Sequence, residues 1–293
     1  MQKLVPNLWF DQEAVEAATF YTSVFENSKV NWKTVVKDTP SGDSEQVSFT
    51  LEGLEIFAIS AGPFFTLNPT ASFTVFCETE EEVEDLWEKL IVGGTAIMAV
   101  DRYPFSKRYG WLTDQYGMSW QLMHYEEPFE QKIYPTLTFV GKQYLKAEEA
   151  VNDYLSIFKE AKMGNIYYYG DELEDEEPNG VSYASFSLAG LTLLAMDMIT
   201  ESDDSFNEAF SLMLKCEDQA EIDYYWEKLS AVPEAEECGW LKDKFNISWQ
   251  ITPNDIDDMM QSTDEEAKAR VVEALLKMKK FDVAALHAAF AGK

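Results

Sequence analysis

The sequence predicts an α+β protein built from two tandem copies of one domain. Two observations lead to this fold class. Residues 110–121 and 239–250 both read Gly-Trp-Leu-x-Asp and then, at the same spacing, Ser-Trp-Gln. Within each copy the order strand, helix and three strands, a βαβββ module, is expected twice. A repeat this long indicates duplicated domains rather than a solenoid, whose units run roughly 20 to 50 residues.

The elements of the first copy follow from hydrophobic periodicity. Alternating apolar residues indicate strands, and apolar residues three and four apart indicate helices. The Gly93-Gly94 pair is suited to ending the second helix. The predicted helices cover residues 13–25 and 80–90, and the predicted strands cover residues 4–10, 30–37, 46–51, 55–60, 71–77, 96–100, 110–114 and 119–123.

The second copy repeats these signals with small shifts that place insertions in loops. Residues 135–139 match the first strand, and Trp226-Glu-Lys-Leu matches Trp87-Glu-Lys-Leu at the end of a helix. The predicted boundaries are residues 1–128 for the first domain, 129–254 for the second and 255–293 for a C-terminal helical extension. Helical periodicity in this extension predicts one C-terminal helix that packs across a domain face.

Composition excludes several classes of function. The chain has 293 residues, a net charge of −30 and a pI near 4.3, which disfavour nucleic-acid binding because that needs concentrated lysine and arginine. No stretch approaches the roughly 20 apolar residues of a membrane span. Three cysteines, two at equivalent strand positions, suggest a reducing, cytoplasmic location. The acidic runs at residues 78–84 and 171–177 are interpreted as a helix start and a surface loop.

Several motifs together resemble one known family. They are Pro-x-Leu-x-Phe before an Ala/Glu-rich helix, Trp-Glu-Lys-Leu, and Cys238-Gly-Trp-Leu-Lys-Asp-Lys-Phe with the following Ser-Trp-Gln. This combination resembles the PhnB-like branch of the vicinal oxygen chelate superfamily, whose members often carry the label 3-demethylubiquinone-9 3-methyltransferase. The resemblance implies two glyoxalase-like domains, each a half-open barrel of two βαβββ modules. A methyltransferase activity is disfavoured, since no Gly-rich strand-to-helix turn suits a nucleotide-like cofactor.

Strand alternation and the resemblance together select the candidate ligand-binding residues. Leu8 and Phe10 should face the helices, which leaves their neighbours in the strand toward a cavity. Trp120 and Trp249 are expected to pack toward the helices, whereas the other two tryptophans of the repeat could line the pocket. The candidates are Asn7, Trp9, Ser60, Ser72, Trp111, Gln121, Thr136, Thr138, Asp197, Ser211, Trp240 and Gln250.

A metal site is disfavoured. By the resemblance, a divalent metal would be held by His, Glu or Gln side chains from four strands, and Gln121 and Gln250 fall at the last of these positions. The other positions carry mainly hydroxyl groups, whereas catalytic metals usually need three strong protein ligands. His124 and His287 are expected at surfaces or interfaces. No cofactor is therefore expected, and Cys238 is expected to be an ordinary thiol rather than a reactive one.

Three functional hypotheses remain open from the sequence. The favoured one is a metal-independent small-molecule binding protein of the bleomycin-resistance type. The alternative is a metal-dependent vicinal oxygen chelate enzyme of the lyase, isomerase or dioxygenase type. In the third, one domain has lost its site and serves only as a partner for the other. The two domains are expected to pair within the chain, and a homodimer of chains is left open.

Overall fold

The computed structural model describes residues 2–39, 41–170 and 177–293. The predicted acidic loop at 171–177 therefore lies outside the described residues, apart from Glu177. The elements of the first copy are β1 Leu4–Phe10, α1 Ala14–Val24, β2 Lys29–Thr39, β3 Gly42–Leu51, β4 Leu54–Ser60, β5 Ala71–Cys77, α2 Glu80–Leu90, β6 Thr95–Tyr103, β7 Ser106–Thr113 and β8 Ser119–His124.

The second copy and the extension contain the remaining elements. Those of the second copy are β9 Ile133–Phe139, α3 Ala147–Ile157, β10 Lys162–Tyr168, β11 Val181–Leu188, β12 Leu191–Asp197, β13 Phe210–Cys216, α4 Gln219–Leu229, β14 Trp240–Lys242 and β15 Ser248–Pro253. The extension, residues 255–293, is called the tail below, and it forms α5 Ile256–Met260, α6 Glu265–Leu275 and α7 Val283–Phe290.

The α+β fold class is confirmed, with two differences in detail. The last module lacks a counterpart of β6, because residues 230–239 are too short for a second long strand and form a single 3₁₀ turn at Pro233–Ala235. Residues of the tail take up part of the vacated edge, where the Cys238 N–H donates to the Met278 carbonyl at 2.8 Å. The tail contains three helices, whereas the sequence predicted one.

The strands form two open sheets, and each sheet combines modules from both copies. Sheet A has the order β14-β15-β13-β1-β4-β3-β2, and sheet B has the order β10-β11-β12-β9-β5-β8-β7-β6. The first module of the chain therefore joins the last through the antiparallel pair β1 and β13, in which Asn7 lies opposite Ser211. The two middle modules join through β5 and β9, where Ser72 lies opposite Thr136. The repeat units defined by the sequence are thus not the units that share a sheet.

One hydrophobic core connects the helices with both sheets. Along β1, Leu4, Leu8 and Phe10 enter this core, while Val5 belongs to a smaller cluster on the opposite face. The alternation predicted for this strand is confirmed. The face of each sheet opposite helices α1–α4 is called its open face below. None of the helices in the described part of the chain is both long and apolar enough to span a membrane.

Helix starts repeat between the copies. Thr79 accepts a hydrogen bond from the Glu82 N–H at the start of α2, and Asp218 accepts one from the Glu221 N–H at the start of α4. Such caps satisfy backbone donors that have no partner within the helix. Acidic residues occupy the first turn of α2, as predicted for the run at residues 78–84.

The aspartate of the repeated Gly-Trp-Leu-x-Asp motif closes the turn before the last strand of each copy. Asp243 is buried and accepts hydrogen bonds from the Trp249 indole N–H at 2.9 Å and from the Tyr154 hydroxyl at 2.5 Å. The backbone N–H groups of Phe245 and Ile247 donate to its other oxygen. Asp114 accepts the corresponding indole and backbone N–H bonds in the first copy. The residues that the two copies of the motif share therefore include a structural carboxylate, whose role the sequence analysis did not predict.

Replacement of Asp243 by asparagine is expected to change the pH dependence of stability. Burial raises the pKa of Asp243 to about 6, although its hydrogen bonds oppose the rise. The folded state therefore holds a proton more tightly than the unfolded chain, and this group's contribution to stability falls as pH rises. From about pH 5 to about pH 8 the fall is on the order of 1 kcal/mol. Urea denaturation of both proteins should show the wild-type stability declining by this amount relative to the variant, and parallel profiles would contradict the prediction.

Candidate functional site

The open face of sheet A and the tail line a cavity of about 560 Å³ that opens to solvent. This volume falls within the range of small-molecule sites, roughly 300 to 1,000 Å³. Its walls come from both copies and from the tail. Its lining residues include Trp9, Ser44, Gln46, Phe57, Met213, Cys238, Trp240, Gln250, Thr252, Met260, Leu275 and Phe281.

Gln250 on one wall of the cavity belongs to a hydrogen-bonded polar cluster, whose other members are fully buried and do not line the cavity. The Gln250 side-chain amide donates to the Ser211 hydroxyl at 3.0 Å, and the Asn7 amide donates to the same oxygen at 3.1 Å. Within the described residues, the Asn7 Oδ1 atom and the Ser248 hydroxyl are buried without a partner. Buried polar groups are usually satisfied by a partner, so this cluster has hydrogen-bonding capacity that the protein itself does not use.

The other walls are aromatic and apolar. Trp9 and Trp240 meet edge to face with ring centres 6.1 Å apart, and the Trp9 indole N–H donates to the Gly62 carbonyl at 2.7 Å. Phe57 and Met213 form an apolar floor together with Val5 of β1, although Val5 does not itself line the cavity. The cavity therefore combines a large apolar surface with one polar wall, which is typical of a binding site for a small organic molecule.

The equivalent residues of sheet B are bonded to one another. Gln121 accepts a hydrogen bond from the Tyr109 hydroxyl at 2.7 Å and donates to the Ser72 hydroxyl at 2.9 Å. The Trp111 indole N–H donates to the Ser119 hydroxyl at 2.7 Å, and Trp111 is fully buried. By contrast, no described donor contacts the Gln250 side-chain oxygen. The sequence placed candidate residues in both copies, and the structure gives the glutamines of the two sheets different environments.

The two threonines predicted for the second copy also lie on the open face of sheet B. The hydroxyls of Thr136 and Thr74 are 2.7 Å apart and hydrogen-bonded. Thr138 is buried, and its hydroxyl has no partner among the described residues. Neither predicted threonine lines the cavity of sheet A. Trp9, Trp240 and Gln250 are the predicted residues that line that cavity, and the buried Asn7 and Ser211 are linked to Gln250 through the Ser211 hydroxyl.

A change of one side chain accounts for part of the difference between the sheets. In the first copy the residue before the repeated Gly-Trp-Leu is Tyr109, which fills the space beside Gln121 and donates to it. In the second copy this position is Cys238, a smaller side chain that lines the cavity. Burial and, to a lesser degree, the carboxylate of Glu237 raise the pKa of the Cys238 thiol to about 11. The thiol is therefore protonated at neutral pH, as expected for an ordinary cysteine.

Two predicted ligand-binding residues need correction, because Ser60 and Asp197 lie on the helix side of their strands. The Ser60 hydroxyl accepts from the Ala14 N–H at 3.1 Å, at the start of α1. Asp197 accepts from the backbone N–H groups of Ala147, at the start of α3, and Val181. Both residues lie an even number of positions from the core-facing residues of their own strands, so they point to the same side of the sheet. The sequence therefore contained the signal for this placement.

Other residues of the cavity were missed. Ser44 and Gln46 alternate with core-facing residues along β3, a pattern that could have identified them. Leu275 and Phe281 belong to the tail, and no sequence signal showed which sheet the tail would cover. Glu208 also lines the cavity and forms an ion pair with Lys242 at 2.9 Å.

The donor groups at the cavity do not match a divalent metal. In the described part of the chain, no group of three or more His, Cys, Asp or Glu side chains could hold an ion. The polar cluster offers neutral amide and hydroxyl groups, and Asp257 is bound to Lys215 at 2.9 Å. His287 lies on the exposed surface beside Asp255, and neither it nor His124 lines the cavity. Metal independence itself stays a prediction.

Paired βαβββ modules with open-faced sheets define the glyoxalase-like class of proteins. Glyoxalase I from Zea mays is similar to this chain with a TM-score of 0.55 and 9% identity, over 89% of this chain and 98% of that one. A Bacillus subtilis protein with a provisional dioxygenase assignment gives a TM-score of 0.51 and 14% identity, over 87% of each chain. At these identities the similarity shows the fold alone.

The chain belongs to the family described as 3-demethylubiquinone-9 3-methyltransferase, whose model matches residues 2–123 and again residues 131–252. The two matches confirm the tandem duplication and the PhnB-like resemblance. A PhnB protein from Bacillus cereus, provisionally assigned the same methyltransferase name, is 38% identical over 42% of this chain and 100% of its own, with a TM-score of 0.40. No curated protein matches the chain.

Proposed function

We propose that this protein binds a small organic molecule, without a metal ion, in the cavity of sheet A. The observation that carries the proposal is the contrast between the two glutamines. Gln121 is bonded on both sides by protein groups, whereas Gln250 faces a cavity and has only Ser211 as a partner among the described residues. A ligand in this cavity would contact aromatic walls and could donate a hydrogen bond to the side-chain oxygen of Gln250.

The different environments of Gln121 and Gln250 favour one binding site per chain. The cavity needs Trp9 from the first copy, Gln250 from the second and Phe281 from the tail. Both copies therefore contribute to one site, and the corresponding polar groups of sheet B stabilise the protein instead. This arrangement combines the favoured hypothesis with part of the third, since one of the two equivalent positions has become structural.

The alternative is a metal-dependent enzyme of the vicinal oxygen chelate type. It would use a divalent ion to polarise a carbonyl group or stabilise an enolate. Metal analysis of purified protein separates the two proposals. Stoichiometric nickel, zinc, manganese or iron that is lost from the Gln250→Ala variant would contradict metal-free binding. The methyltransferase suggested by the family description is less favoured, for want of a Gly-rich turn for a nucleotide-like cofactor.

Thermal-shift screening against a metabolite and drug library tests the proposal. A ligand should raise the melting temperature of the wild type, because binding to the folded state alone adds stability. For a compound found in this way, Gln250→Ala should weaken binding about three- to tenfold in calorimetry, as expected for one hydrogen bond.

Gln121→Ala is the matched control, since it removes the equivalent side chain from sheet B. It should leave the affinity for the compound unchanged. Equal loss of affinity in the two variants would contradict the assignment of the site to sheet A. A library that contains no stabilising compound would contradict the proposed function and favour a purely structural role for both copies.

A further inference from the structure

A second space lies beside the cavity, between strand β2 and helix α6. It has a volume of about 500 Å³ and is called the groove below. Its apolar walls include Val35 of β2 and Ala269 of α6, which are both exposed. The remaining lining residues are Val36, Lys37, Met260, Glu265, Lys268, Val272, Glu273 and Leu276.

The groove and the cavity are adjacent compartments. Val36, Met260, Val272 and Leu276 line both spaces. These side chains are apolar, and Met260 has an unbranched side chain that adapts readily to a neighbouring group. A molecule with its head in the cavity could therefore extend an apolar chain past them and along α6. Three of these four residues, Met260, Val272 and Leu276, belong to the tail.

The charge of the cavity selects among possible head groups. Its charged lining residues are all acidic: Glu208, Glu234, Glu237 and Asp257. Two of them are neutralised, Glu208 by Lys242 and Asp257 by Lys215. Glu234 and Glu237 are exposed, and no described lysine or arginine forms an ion pair with either. An anionic head group would be repelled here, whereas a protonated amine would be attracted.

We infer that the cavity and the groove together bind one elongated amphipathic molecule, a protonated amine that carries an unbranched apolar chain. The amine lies in the cavity of sheet A, near Gln250 and the acidic residues. The chain passes Met260 and lies against Ala269 in the groove. This inference rests on the proposed function and adds the chemical class of the ligand.

Calorimetry with a series of primary n-alkylamines, used at concentrations below those that form micelles, tests the inference. Burial of each further methylene should raise affinity about fourfold until the groove is filled. Carboxylic acids of the same chain lengths should bind more weakly than the amines. Affinity that does not depend on chain length would overturn the elongated site, and equal binding of the acids would overturn the choice of head group.

Ala269→Phe places a ring in the groove and leaves the cavity unchanged. It should abolish the gain in affinity for long-chain amines and preserve the binding of short ones. Ala284→Phe is the matched control, because Ala284 is an exposed position of α7 that lines neither space. A long-chain amine that binds Ala269→Phe as tightly as the control would overturn the inference. If short compounds still bind the wild type, the proposed function stands even when this inference fails.

Discussion

Replacement of Trp249 by alanine is expected to lower the free energy of unfolding by about 3 to 5 kcal/mol. This side chain is fully buried between Tyr154 and Phe158, with ring centres 5.4 and 5.7 Å away. Its loss leaves a cavity and removes a hydrogen-bond donor from the buried carboxylate of Asp243. Urea denaturation followed by circular dichroism measures the change.

Trp240 belongs to the same repeated motif, residues 239–250, and its substitution is the control for Trp249→Ala. It is only half-buried and faces the cavity, where Trp9 is its aromatic neighbour. Its replacement by alanine should cost about 1 kcal/mol, the value of one aromatic pair. The same variant should weaken binding of any ligand that occupies the cavity of sheet A. Comparable destabilisation by the two substitutions would contradict the division into a core tryptophan and a site tryptophan.

Replacement of Gly239 by alanine is expected to destabilise the protein by about 3 kcal/mol, which combines backbone strain with overpacking. Gly239 has a φ of +85°, and an added Cβ would lie 2.5 Å from the Phe281 ring. The Gly239 N–H also donates to the Lys279 carbonyl at 2.7 Å, so this contact holds the tail against sheet A. The variant should show faster proteolysis within the tail as well as a lower unfolding free energy.

Gly53→Ala separates the two causes of this effect. Gly53 has a φ of +87°, and an added Cβ would have no neighbour within 4 Å. Its substitution should cost only the backbone strain, about 1 kcal/mol. In a double-mutant cycle, the variant with both Phe281→Ala and Gly239→Ala should be less destabilised than the sum of the two single substitutions, because the clash with the Phe281 ring is absent. If Gly53→Ala were as destabilising as Gly239→Ala, the contact with Phe281 would not contribute.

The sequence predicted much of the site because strand alternation is a local property. It placed Trp9 toward the cavity and Trp249 in the core, as the structure has them, whereas Asn7 is fully buried beside Ser211 and does not line the cavity. The errors have physical causes of two kinds. Ser60 and Asp197 were placed by analogy with metal-binding positions, against the alternation of their own strands, and they cap helices. Tail residues were missed because a contact between distant segments leaves no periodic signal.

The sequence by itself determined the duplication and the order of elements in each module. It also determined which side chains of individual strands face the helices and which face the open side of the sheet. These depend on spacing within a few residues. Only the tertiary structure decided that β1 pairs with β13 rather than with β5, the strand of the first copy that is equivalent to β13. It also decided that one cavity lies under the tail. Since β5 and β13 carry nearly the same pattern, local periodicity cannot distinguish them as partners. The choice depends on how the whole chain packs, and it brings Trp9 into the sheet that carries Gln250.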